Sequence, residues 1–155
     1  VMIEYEPIGV IRTPFAAASG MPRNPRDARD AAGTVEIDPR YAAGLKDLEG
    51  FSHVILLFHC HRSDSYELVF APPGRTEERG VFATRSPRRP NPIGLSLVRL
   101  DRVAGNRLDV RDVDMVDGTP LLDLKPYLPS VDAAEEVRTG WLGATAGCGD
   151  SGGAG

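Results

Sequence analysis

The sequence predicts an all-β, mainly β single domain: a barrel or a strongly curved sheet, with short helices and long functional loops. Three observations carry this prediction. Short apolar segments alternate with turn residues, thirteen prolines punctuate the 155-residue chain, and helical periodicity is almost absent. The length fits one domain, and a chain of this size buries roughly 70% of its unfolded surface without disulfides or metal. No internal repeat and no linker between two cores is visible.

Taken in order, Tyr5–Arg12 is rich in Ile and Val and predicts a strand that ends at Thr13-Pro14. Residues 16–33 lose all periodicity and carry Gly20, Pro22, Pro25 and Gly33 among Arg23, Arg26 and Arg29, which makes them a long basic loop. Thr34–Ile37 is a short strand closed by Asp38-Pro39. Tyr41–Leu48 is at most a short helix, stopped by Gly50. Phe51–His61, FSHVILLFHCH, is the strongest strand; apolar on both alternating faces, it is expected to lie buried on both sides. Ser63–Arg79 is polar and contains Pro72-Pro73-Gly74, so it is a connecting loop. Val81–Thr84 and Leu95–Val103 are strands on either side of an Arg/Pro segment. Ala104-Gly105-Asn106 turns the chain into Arg107–Met115, a hairpin partner. Leu121–Lys125 alternates again before Pro126 and Pro129 end it, and Ala133–Val137 adds a helical turn. Residues 1–140 are expected to form the domain and 141–155 a flexible Gly-rich tail.

The formal net charge is −4, so any nucleic-acid contact must come from a local basic patch rather than from the overall balance. Cys60 lies in an apolar run and Cys148 in the Gly-rich tail, a poor pair for a bridge. That usage suits a reducing cytoplasm. The first fifteen residues carry acids where a signal peptide has a basic region, and the longest apolar run, Val54–Phe58, is far short of a membrane span. A soluble cytoplasmic protein is expected, with no membrane or DNA partner.

The usual nucleotide motifs are missing: there is no P-loop, no G-x-G-x-x-G after a strand and no G-x-S-x-G elbow. His59 and His61 stand two apart on a predicted strand and share a face. His53 has the same parity but is about 20 Å away along an extended strand. A metal needs a third ligand, so the pair predicts a polar strand end rather than a metal site, and no metal is expected. The segment 80–100 is the more telling one. Pro87, Pro90 and Pro92 fix φ at three positions within six residues, and Arg85, Arg88 and Arg89 sit among them. Planar guanidinium forks on a preset loop suit a carboxylate or a phosphate at low entropic cost. Asn91 can donate and accept, and Gly94 permits close backbone approach. A second cluster runs from Asp114 to Tyr127 through Asp117-Gly118-Thr119-Pro120, Asp123 and Lys125. It suits either a simple turn or recognition of hydroxyls or a cation.

Five segments in order, IGVIRTPF (8–15), MPRNP (21–25), LEGFSHVILLF (48–58), GVFATRSPRRPNPIGLSLV (80–98) and DMVDGTPLLDLKPYLP (114–129), resemble the TrmO (TsaA-like, YaeB-like) tRNA methyltransferases over nearly the whole chain. The resemblance implies a single β-barrel domain that binds S-adenosylmethionine in a manner unlike Rossmann methyltransferases. It also implies N6-methylation of threonylcarbamoyl-adenosine beside the tRNA anticodon, and a homodimer with its active site near the subunit interface. Carried over by motif, the donor meets Pro22, Arg23 and Asn24 in the first loop and His61 and Arg62 at the strand end. It also meets Arg85 and Leu95, and the turn Asp117, Gly118, Thr119 and Pro120. Arg62 and Asn24 stand where bacterial relatives often have an uncharged amide.

The donor is a sulfonium with a carboxylate, two ribose hydroxyls and an adenine edge. Arg85 or Arg23 suits the carboxylate, Asp117 the hydroxyls or the sulfonium, and backbone around Leu95 the adenine. The acceptor nitrogen must lose a proton, for which Asp117 and Tyr127 are the expected bases. Arg26, Arg88, Arg89 and Lys125 are the expected contacts to tRNA. Two other assignments use the same residues: a methyltransferase of another RNA or a small molecule, and a non-catalytic S-adenosylmethionine-binding module.

Overall fold

Alternation of buried and half-exposed residues organises every main strand of the computed structural model, which describes residues 1–17 and 29–146. Strand β1 is Gly9–Arg12, β2 Ala32–Ile37, β3 His53–His59, β4 Val69–Phe70, β5 Arg79–Gly80, β6 Ile93–Ala104, β7 Arg107–Arg111 and β8 Thr119–Pro126. Six of them close a wholly antiparallel barrel in the order β1-β2-β7-β6-β3-β8, and β4 and β5 form a separate two-stranded ribbon. The mainly β barrel expected from the sequence is what the chain forms.

A six-stranded barrel has no lumen to spare, so its inward positions must be filled by side chains. Ile11, Val35, Val54, Leu56, Val98, Leu108, Val110 and Leu121 do this, each at most 1% exposed. Val113 and Met115, on the connection between β7 and β8, join the same core. Gly94 is required by that packing. A Cβ there would lie 2.2 Å from the Phe58 ring, so the close approach expected for this glycine is to an interior aromatic ring rather than to a ligand.

Several elements differ from the sequence expectation. β3 is buried on one face only: Val54, Leu56 and Phe58 point inward, while Ile55 and Leu57 are half-buried on the outside. In a closed barrel each strand has a single inward face, and the continuous apolar run conceals this. Val81–Ala83 is a 3-10 turn instead of a strand, fixed by Thr84 N–H and Oγ1 donating to the Val81 carbonyl at 3.1 and 2.9 Å. The expected helix at Tyr41–Leu48 is 3-10 over Pro39–Leu45, capped by Asp38. The helical turn expected at Ala133–Val137 lies earlier, at Pro129–Asp132, where Pro129 occupies a favoured first-turn position. β7 stops at Arg111 because Asp112 turns to a positive φ of 69°. Gly140–Ala146, expected to begin the tail, forms 3-10 turns broken by a kink at Gly143, and Trp141 Nε1 donates to the Ala83 carbonyl at 2.8 Å.

The packing at Gly94 makes a prediction. Gly94→Ala should lower the free energy of unfolding by about 1–3 kcal/mol through overpacking. Adding Phe58→Leu should recover part of that loss, a non-additivity read by urea denaturation of the two single variants and the double.

Candidate active site

Register places one rim of the barrel. His59 pairs with Ile93, Phe58 with Leu121 and Ile11 with Thr119, so the ends of β1 and β3 and the starts of β6 and β8 lie together. The Arg/Pro loop, the turn after β3 and the connection into β8 all leave from this rim.

The connection Asp112–Gly118 is tied on both sides. Asp117 Oδ1 accepts the Thr13 N–H at 3.0 Å, Asp117 N–H donates to the Phe15 carbonyl at 2.7 Å, and Gly118 N–H donates to that of Ile11 at 2.9 Å. Gly118 adopts φ 81°, the left-handed region that favours glycine and that the turn requires. Thr119 is 2% exposed, its hydroxyl donating to the Val116 carbonyl at 2.5 Å, and Pro120 pairs with Val10. At the other end of the connection, Asp112 Oδ1 accepts the Asp30 N–H at 2.7 Å. Arg99 bridges to the Asp30 carboxylate and holds its Nε 3.3 Å from Asp112 Oδ2, off the hydrogen-bonding direction, so that second contact is coulombic. Between them Asp114 accepts a 2.6 Å bond from Ser96 Oγ, a polar side chain at an inward position of β6. The sequence signal for this pair was a serine at the parity of Val98 inside an apolar strand.

The arginines divide their work. Arg89 Nη1 donates to the carbonyls of Thr84 and Ser86 at 3.0 and 3.1 Å, and so staples its own loop. Arg85 Nη2 reaches the Leu95 carbonyl at 2.9 Å, and Arg88 Nη2 reaches Ser65 Oγ at 3.1 Å; both side chains are exposed. Leu95 itself faces outward, 48% exposed. Cys60 N–H donates to the Pro92 carbonyl at 2.8 Å, which joins the turn after β3 to the far end of the loop.

His61 lies beyond the end of β3, so His59 and His61 do not share a strand face as expected. Burial, then the positive charges of Arg62 and His59, holds the His61 imidazole below its ordinary pKa and favours the neutral ring. Burial also raises the Cys60 thiol; Arg89 opposes the shift and Asp114 adds to it, so the thiol stays protonated near neutral pH. Among the described residues no three His, Cys, Asp or Glu side chains come together to hold a metal. No helix among them is long and apolar enough to cross a membrane.

The rim therefore gathers His61, Arg62, Arg85, Arg88, Arg89, Leu95 and Asp117–Pro120. Pro22, Arg23, Asn24, Arg26 and Cys148 lie outside the described residues. Tyr127 is not gathered: it follows β8, roughly 25 Å of strand from Thr119 at about 3.3 Å per residue. Its N–H donates to the His53 carbonyl, and its ring meets the His53 ring edge-on at 6.3 Å. One chain cannot bring the two expected bases to one acceptor nitrogen. Lys125, also toward that far end, is 3.0 Å from Asp123. Sequence reasoning missed Trp141, whose lone indole in a Gly-rich stretch was the available signal. Arg75 and Arg79 lie over its ring at 5.7 and 5.3 Å from the centroid.

Known proteins are similar to this chain in sequence and in fold. A Pyrococcus abyssi protein named as a probable S-adenosyl-L-methionine-binding protein is 53% identical over 142 residues, covering 92% of this chain and 77% of the relative. An Archaeoglobus fulgidus S-adenosyl-L-methionine-binding protein is 44% identical over 133 residues, covering 86% and 95%. The Escherichia coli tRNA (adenine(37)-N6)-methyltransferase is 38% identical over 148 residues, covering 89% and 63%. The crystal structure of TrmO from Pseudomonas aeruginosa superposes with a TM-score of 0.76 at 40% identity, over 91% of this chain and 63% of that one. The chain thus spans less than two thirds of the last two. The model of the tRNA-methyltransferase O N-terminal domain matches residues 10–133, which takes in the barrel, the Arg/Pro loop and the Asp117 turn, and the chain belongs to that family.

Proposed function

We propose that this protein is an S-adenosylmethionine-dependent methyltransferase acting on N6 of an adenosine in tRNA. The finer assignment is threonylcarbamoyl-adenosine beside the anticodon, methylated by a cytoplasmic homodimer. The observation that carries the proposal is the convergence on one rim of His61, Arg85 and the Asp117–Pro120 turn, in a chain whose relatives are named for donor binding and for this reaction.

The residues suit the donor. Arg85 is exposed and anchored through one nitrogen only, which leaves guanidinium N–H groups for a carboxylate. A neutral His61 adds no positive charge beside a sulfonium. The Asp117–Thr119 turn offers backbone and carboxylate acceptors to ribose hydroxyls. When bound, S-adenosylmethionine supplies a methyl group already activated on sulfur. The task left to the protein is to hold donor and acceptor in line, and a loop stiffened by three prolines lowers the ordering cost of doing so. Of the expected bases only Asp117 shares the rim, so the proton from the acceptor nitrogen is assigned to it. For RNA, Arg88 is the best placed of the expected contacts, because Arg89 is occupied by its own loop.

The outer face of β3 and β6 presents Ile55, Leu57, Ile93, Leu95 and Leu97 as neighbours across the ladder, the last three 44–51% exposed. An aliphatic stripe of this kind, next to Arg85, is the proposed self-contact surface. Light scattering should give twice the mass of one chain for the wild type and a single chain for Leu97→Asp. A monomeric wild type would refute the assembly.

Isothermal titration should show binding of S-adenosylmethionine, and tRNA carrying threonylcarbamoyl-adenosine should take up labelled methyl groups. Absence of donor binding sinks the function, whereas donor binding without methyl uptake sinks only the substrate. Arg85→Ala should weaken donor binding with the fold intact by roughly 1.5–3 kcal/mol, about tenfold to a hundredfold, for loss of one charge-assisted contact. The lowered His61 pKa sets a pH dependence: the ring is neutral above that value and charged below it. Donor affinity should therefore fall only as pH drops through that lowered value, on the acid side of the ordinary histidine range, and His61→Gln should flatten the profile.

A further inference from the structure

An open cleft of about 1090 Å³, with Arg85 on its wall, lies between the β4 strand and the turn after it, the start of the Arg/Pro loop, and Trp141 and Leu142. Phe82 lines it and is 76% exposed. Its turn is pinned by the buried Val81, whose N–H donates to the Leu68 carbonyl at 2.9 Å, by the Thr84 bonds to Val81, and by Trp141 on Ala83. An aromatic face is thus displayed to solvent on a hydrogen-bonded turn, and no part of the donor site described above uses it.

The polar groups around the cleft narrow what fits there. Arg85 and Arg88 are on its wall, and Arg75 and Arg79 lie over the ring of Trp141, which also lines it. Four arginines thus stand on or beside the cleft of a chain of net charge −4, Arg79 among them paired with Glu77 at 2.6 Å. Glu67 and Glu78 are on the wall as well, which rules out a continuous phosphate track but suits a base carrying an exocyclic amine. Aromatic faces and arginine planes are the usual holders of bases splayed from RNA loops.

We propose that this cleft holds one unstacked nucleobase of the RNA substrate, stacked on Phe82, with an adjoining phosphate on Arg88. The inference rests on the tRNA reading above and adds the acceptor side to it. Arg85 is then the wall shared by donor site and base cleft, which would place the base beside the methyl donor.

Fluorescence anisotropy with a labelled anticodon stem-loop tests this directly, without requiring turnover. Phe82→Ala should weaken RNA binding about tenfold, as expected for one lost base–aromatic stack, and Phe82→Trp should retain it. The donor dissociation constant and the mass in solution should stay unchanged in both. A single abasic position in the loop should reproduce the tenfold loss with wild-type protein and add nothing further in Phe82→Ala. Unchanged RNA affinity in Phe82→Ala, or no abasic position with an effect, overturns the proposal. A change of oligomeric mass in Phe82→Ala overturns it in favour of a second copy covering the cleft. Retained RNA binding with no donor binding would instead refute the methyltransferase assignment and leave the cleft standing.

Discussion

Thr13 and Asp117 are 104 residues apart in the chain, and the 3.0 Å bond between the Thr13 N–H and the Asp117 carboxylate continues the seam that closes the barrel. That seam is short. β1 and β8 share three paired positions, Gly9 with Leu121, Val10 with Pro120 and Ile11 with Thr119. The Ile8, Gly118 and Asp117 N–H groups lengthen it at its two ends by donating to Leu121, Ile11 and Phe15. Without closure, β1 and β8 would be exposed edges and the inward residues would lose their shared core. The turn that carries donor-site candidates is therefore also a structural fastening. This is why its aspartate has a fold role beside the chemical one proposed for it.

The connection Asp112–Gly118 extends the same economy. Its two outer aspartates hold the chain where it departs after Phe15 and where it returns at Asp30, and Asp114 between them takes the hydroxyl of an inward serine. Three carboxylates in seven residues would repel one another in a free peptide. Here each has a partner from a different element, so one connector ties β1, β2 and β6 to the rim. Sequence alone presents these residues as a dense polar stretch, equally suited to a turn and to ligand recognition. The structure shows the first use in the bonds these aspartates accept.

The Arg/Pro loop shows a similar division of labour. Three prolines remove backbone donors and fix dihedral angles, but they do not by themselves hold the loop on the barrel. Arg89 does so, bonding to carbonyls at the start of the loop, as does the Cys60–Pro92 bond at its end. Side chains of identical chemistry thus take different duties. Arg89 is internal scaffold, while Arg85 and Arg88 each spend one nitrogen on anchoring and keep an exposed face.

Much of the molecule was legible in the linear chain. Alternating apolar residues set the strands, because half of each strand must face a filled core; proline and glycine spacing set the loops; and the motif segments carried the family. What the tertiary structure decided is what depends on residues far apart in sequence. Barrel closure determined that β3 is buried on one face only. Register brought His61, Arg85 and Asp117 to one rim and sent Tyr127 to the other end of β8, since a strand separates its termini by its length whatever the residue types. Ring packing assigned Gly94 to Phe58. Trp141 found Ala83 58 residues earlier, a contact between segments that local patterning cannot connect.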